Sequence, residues 1–251
     1  MSTLLMWLGL WSMLLWILGV LRGPLLTKSW AKALFRPGLA LDALFQIVAC
    51  LLTATPIEGI HPFKNNQPFV HRGRPGMRYV GPSFAVGFRV LALFVLCHAV
   101  LMHHPTFLSS DFALPDLDHE VTELLDSPSF EEFLEGLMAL PKTLHLDEPW
   151  VLLFLYTLAG ALLAQGFRNR EFLGAIAVWV GAVLASQVAD WLGLRFGWFS
   201  KGWFIRWLYG DEFWATFSLL VFLSLGVVGL LVFQRLARNL VRSDRSAPSP
   251  A

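Results

Sequence analysis

The chain has 251 residues, of which 56% are hydrophobic and only 15% charged, with 21 Phe, 11 Trp and a formal net charge of +1. Ordinary soluble domains are nearer about 45–50% apolar and 25% charged, so this composition argues against a soluble globular enzyme and for a chain built to sit in lipid. A net charge close to zero excludes a global field that would recruit nucleic acid or an acidic substrate.

The opposing charges are instead sorted by segment. The opening stretch TLLMWLGLWSMLLWILGVL has no basic n-region, a long apolar run and no small-residue cleavage site. It reads as an uncleaved first transmembrane helix over 4–21. The connector 22–36 holds Arg22, Lys28, Lys32 and Arg36 and no acid. The next apolar stretch, 38–57, is interrupted early by Asp42 and Gln46, which leaves 44–57 short for a span and of the length of a re-entrant segment. If 38–57 crosses the bilayer, the basic connector 22–36 and the basic loop 58–82 fall on opposite sides, and one breaks the positive-inside rule. If it re-enters, both face the cytoplasm. Two arrangements therefore stand: about six spans, towards which a tilted helix carrying Asp42 near an interface inclines, or five plus a re-entrant segment.

The loop 58–82 is rich in Pro, Gly and Asn and lacks periodicity, so ordered turns are expected there. The apolar run from Gly81 to His104 is long enough to span, which takes about 20 residues. Lys64, Arg72, Arg74 and Arg78 precede it, and an acidic segment follows, in which Lys142 is the one Lys or Arg between Asp111 and Glu148. That asymmetry directs the helix from inside to outside. Within 105–148, Phe130, Phe133, Leu134, Leu137 and Met138 repeat at the spacing of an amphipathic helix, with Ser127-Pro128 as its start and Pro141 as its stop. Further spans are expected at 150–167, 172–190 and 215–233. The stretch 190–214 mixes Trp, Tyr, Arg and Lys as interfacial segments do. The tail 235–251 carries Arg235, Arg238, Arg242 and Arg245, which places the C-terminus in the cytoplasm.

The expected fold is thus all-α: a polytopic transmembrane helix bundle with an extramembrane amphipathic helical segment. Its parts are helices 1–3 in 1–104, the acidic extracytoplasmic segment 105–148, helices 4–6 in 149–234, and the basic tail 235–251. The cell membrane, in the manner of an inner-membrane protein, is the expected location.

Several polar residues stand inside apolar runs. An intramembrane charge is a functional candidate by default, and Arg89 is one, with snorkelling towards the basic side as its bland explanation. Asp42 is its natural counter-ion if the two helices pack. His98, His103 and His104 could bind a metal or move protons, yet His98 and His103 share a helix face poorly, so no metal site is predicted. Gln187 and Asp190 form a second polar group at the end of the fifth helix. Lys64, Asn65, Asn66, Arg72, Arg74 and Arg78 make a candidate loop for a lipid headgroup or a partner, with topogenic charge as the plain alternative. The chain carries no Walker A, G-x-S-x-G or C-x-x-C motif, and no cofactor is indicated. Cys50 and Cys97 both fall in apolar runs and leave the redox compartment open.

The aromatic stretch 190–214, followed by a last helix that ends in arginines, loosely resembles the end of some six-helix ABC-2-type permeases. No diagnostic motif accompanies it, and this chain has no cytoplasmic helix ahead of its first predicted span. The leading functional expectation is a non-catalytic permease-like, transport or anchoring subunit, with lipid and a membrane protein or a protein at the acidic segment as partners. The alternative is a membrane-embedded enzyme acting on a lipid or isoprenoid through His98, His103, His104, Arg89 and Asp42.

Overall fold

The computed structural model describes residues 2–26, 28–60, 70–74, 81–103, 138, 144–167, 169–197 and 211–245. The described chain is mostly helical, and its elements follow as α1 (Ser2–Leu26), α2 (Ser29–Leu34), α3 (Arg36–Leu52), β1 (Ile57–Ile60), β2 (Val70–Arg72), α4 (Gly81–His103), α5 (Pro149–Gln165), α6 (Asn169–Phe196) and α7 (Asp211–Arg245). The amphipathic helix expected in 105–148 lies outside the described residues apart from Met138 and Leu144–Glu148. So does the middle of the aromatic stretch, 198–210.

Two expectations are corrected in detail. The connector 22–36 is not a plain loop: α1 continues to Leu26 and a short helix, α2, follows. The segment 38–57 stops being helical at Leu52. There Thr53 Oγ1 donates to the Ala49 carbonyl at 2.8 Å and Ala54 turns to φ 49°, and Pro56 ends the turn. A left-handed Ala costs energy because Cβ meets the carbonyl, so the helix cannot run on to Ile57. Instead Ile57–Ile60 and Val70–Arg72 pair antiparallel, with a register irregularity between Ile57 and Gly59. This small ribbon is a departure from an otherwise mostly helical architecture. The rest of the loop expected as turns, 61–69 and 75–80, lies outside the described residues.

Helix directions follow from which residues meet. Ser83 faces Gly174 and Gly87 faces Val178, so α4 and α6 run the same way. Trp16 packs on Phe172 while Ser12 meets Trp179, so α1 runs against α6 and therefore against α4. The C-terminal part of α1 and the start of α4 consequently both lie beside the first turns of α6, at one end of the bundle. Phe35 stacks on Tyr156, Gly38 touches Gly160, and the partner of Asp42 reaches Ala164, so α3 runs parallel to α5. The chain leaves α1 at one end, turns back through α2, reverses at Phe35 beside the middle of α5, and returns along α3. Thr216, near the start of α7, meets His98 in the last part of α4, which sets α7 off from the opposite end.

Two helical stretches are long and apolar enough to cross a membrane, Ser83–His103 and Ala215–Ala237. The interior is apolar and aromatic, with Trp11, Leu15, Leu18, Leu93, Leu158, Leu162 and Phe217 almost fully enclosed. Where α3 meets α5, a Cβ on Gly38 would overlap the backbone of Gly160 and Ala161. Glycine alone allows that approach.

Candidate functional site

Among the described residues, the buried charges meet where α3, α4 and α5 come together. Asp42 and Arg89 are 3% and 6% exposed, so both charges are withdrawn from solvent. Their side chains pair in a fork: Arg89 Nε donates to Asp42 Oδ1 at 2.9 Å, and Nη2 donates to Oδ1 at 2.7 Å and Oδ2 at 2.8 Å. Gln46, one turn along α3, donates its Nε2 to Asp42 Oδ2 at 2.7 Å. Helix geometry places residues four apart on one face, which is why Asp42 and Gln46 approach Arg89 as a unit. A planar guanidinium matched to a carboxylate gains geometric specificity beyond charge.

The end of α5 completes the cluster. Gln165, 1% exposed, donates Nε2 to the Arg89 carbonyl at 2.9 Å. Arg89 Nη2 also approaches the Ala164 carbonyl at 3.4 Å. From the other side Arg22, at the end of α1, donates Nη1 to the carbonyls of Leu163, at 2.9 Å, and Ala164. The last carbonyls of a helix lack intrahelical partners and carry partial negative charge. Two arginines from different helices reach two of those of α5, Leu163 and Ala164. The chain then leaves through Gly166, whose neighbour Phe167 donates its amide to the Leu15 carbonyl of α1 at 2.8 Å.

The structure brings Asp42 and Arg89 together and leaves the other sequence candidates apart from them. His98 is half-buried, stacks on Phe94 and shares a hydrogen bond with Thr216 Oγ1 at 3.1 Å. His103 is exposed, and its Nδ1 donates to the Ala99 carbonyl at 2.8 Å. Among the described residues no group of three His, Cys, Asp or Glu side chains could hold a metal ion. Arg72 belongs to β2 and Arg74 follows it, exposed. Gln187 and Asp190 fall within α6. His104, Lys64, Asn65, Asn66 and Arg78 lie outside the described residues.

Sequence reasoning missed Gln165 and Arg22. Gln165 carried a signal, being an amide at the end of an otherwise apolar helix. Arg22 read only as topogenic charge. Chemically, the cluster is a buried ion pair wrapped in amide and carbonyl contacts, suited to locking three helices together. Comparison with known proteins adds nothing to this geometry: no family model matches the chain, and no curated protein or solved structure is detectably similar.

Proposed function

We propose that the chain is a multi-pass membrane protein with five spans, α1, α4, α5, α6 and α7, and one re-entrant helical hairpin, α2–α3. We read it as a non-catalytic permease-like, transport or anchoring subunit of a membrane complex. The observation that carries this reading is the inverted distribution of polarity. Met13, Leu51, Leu91, Leu153, Leu184 and Phe233, drawn from six different helices, are all exposed, while Asp42, Arg89, Gln165, Thr216 and Ser224 are buried. Large exposed apolar surface marks contact with membrane or protein.

Helix lengths agree. Besides the two long apolar stretches, α1 and α6 have 25 and 28 residues, and α5 has 17, at the short end of the range of about 17–25 that can span. The antiparallel relation of α1 and α4 supports a re-entrant hairpin, because two oppositely directed spans cannot be joined by one further crossing. It also relieves the charge conflict. Arg22, Lys28, Arg74 and Arg235 then share one side, the cytoplasmic one by the positive-inside rule, and the acidic segment takes the other. Non-helical or broken backbone at membrane depth is tolerated where protein encloses it, and such broken elements recur at the midplane sites of transporters. The enzyme alternative draws no support from this geometry, since Arg89 and Asp42 engage each other and His98 and His103 are separately bonded.

Single cysteines at Lys28, Arg74 and Arg235 should react with an impermeant maleimide from one side, and a cysteine at Met138 from the other. Labelling of the first two from opposite sides would sink the five-span topology. Native mass spectrometry from the source membrane tests the subunit reading. A stable heteromeric mass supports it, and a lone chain carrying metal or one specific lipid overturns it.

A further inference from the structure

Gln165 holds an acceptor that the protein does not use. Its Nε2 is committed to the Arg89 carbonyl, and its Oε1, fully enclosed, has no partner among the described residues. Flipping the amide does not help, because Oε1 would then face that carbonyl, acceptor against acceptor. A buried amide oxygen left unbonded suffers its full desolvation cost, and native interiors rarely tolerate this without a bound donor. The neighbouring protein donors are directed elsewhere: Arg89 Nε and Nη2 to Asp42, and Arg22 Nη1 to Leu163 and Ala164.

We propose that Gln165 Oε1 is one wall of a binding site for a small neutral hydroxylic donor, occupied by a single internal water. Such a water makes about three hydrogen bonds, and the cluster offers them. One O–H goes to Gln165 Oε1 and the second to a carbonyl at the end of α5, while the oxygen accepts from the Arg89 guanidinium. That guanidinium has five N–H donors, more than its contacts to Asp42 and Ala164 use. Half-buried Arg22, lying against the same carbonyls, links the site to the basic end of the bundle. The Asp42–Arg89 pair is then held in a hydrated pocket rather than a dry one, and can exchange partners without passing through a bare charge. The site does not depend on the subunit reading.

The test is a density map of the whole protein in a lipid nanodisc, at a resolution that shows ordered water, for the native chain and for Gln165→Leu. The expected result is a peak about 2.7–3.2 Å from Gln165 Oε1 that vanishes in the variant, while the Asp42–Arg89 fork persists. An ordered Gln165 with no peak overturns the proposal, and so does a protein donor at that distance. Should Gln165→Leu fail to fold, the native map decides alone. Hydroxyl-radical footprinting by synchrotron radiolysis gives a second readout: strong labelling of residues lining the site is expected, and none would overturn it.

Discussion

Two seams of this bundle are held by different chemistry. Where α3 meets α4 and α5, a charged fork with two flanking amides joins the helices, and glycines let α3 and α5 touch backbone to backbone. Where α1 meets α6 and α7, large rings do the packing. Trp11 sits edge-on to Phe217 and donates Nε1 to Ser224 Oγ at 3.3 Å, and Trp179 donates Nε1 to Ser12 Oγ at 3.1 Å. The second seam degrades gracefully, since a ring that loses its N–H bond keeps its apolar contacts. The first does not, because each charge is tolerable only while the other is present. The seam where α3 meets α4 and α5 is therefore the more fragile to single substitutions.

The largest expected effect breaks that first seam. Asp42→Ala or Arg89→Ala strands a buried charge, which costs about 3–5 kcal/mol. Thermal unfolding in mild detergent should show a large loss for either variant alone. Replacing both, Asp42→Leu with Arg89→Met, should recover most of the stability, because apolar residues of similar volume commonly substitute for a buried pair without loss. If the double variant is as unstable as the single ones, the fork is not what holds the seam. If it is stable yet loses a heteromeric mass that the native chain shows, the pair serves assembly rather than folding.

How much of this was legible in the sequence depends on range. The apolar runs, the basic and acidic flanks, and the two charges inside helices are local features, and they brought Arg89 and Asp42 forward as partners. The place where the chain reverses was not local. Asp42 and Gln46 mark α3 as polar on one face whether it spans or returns, and only the direction of α1 relative to α4 discriminates. The end of α3 was hidden for a different reason. Thr53, Ala54 and Thr55 do not interrupt the apolar run sharply. Pro56, which helices usually stop short of, was the one residue that announced the end; the left-handed Ala54 carried no residue signal. Gln165 stayed unread because a single amide at a helix end usually faces solvent, and its burial depends on α4 and α1 arriving from far along the chain.

A smaller effect sharpens the contrast by adding bulk to the first seam without touching charge. Gly160→Ala or Gly38→Ala places a methyl against backbone, which cannot give as a side chain would. Overpacking of this kind costs about 1–3 kcal/mol, so both variants should unfold at lower temperature, with Gly38→Ala the worse because its Cβ would overlap the facing backbone more deeply. Equal tolerance of alanine at Gly38 and at exposed Gly229 would show that α3 and α5 are not in backbone contact. In the second seam, Ser224→Ala removes the acceptor of Trp11. Interhelical hydrogen bonds in membrane proteins average about 0.6 kcal/mol in double-mutant cycles, so a shift of that order is expected. A loss approaching that of Asp42→Ala would erase the distinction between the seams.

The smallest effect lies outside both. His103 is exposed and, among the described residues, bonds only to the carbonyl one turn behind it in its own helix. Surface substitutions of this kind stay within about 0.5 kcal/mol. His103→Ala should therefore leave the unfolding temperature, the assembled mass and any bound lipid unchanged. His98→Ala, by contrast, removes a link between α4 and α7 at Thr216 and a ring stacked on Phe94, and should be measurably less stable. The two histidines differ because only one faces another helix. A loss of function at His103 with folding intact would return weight to a catalytic role for this end of α4, where neither seam reaches.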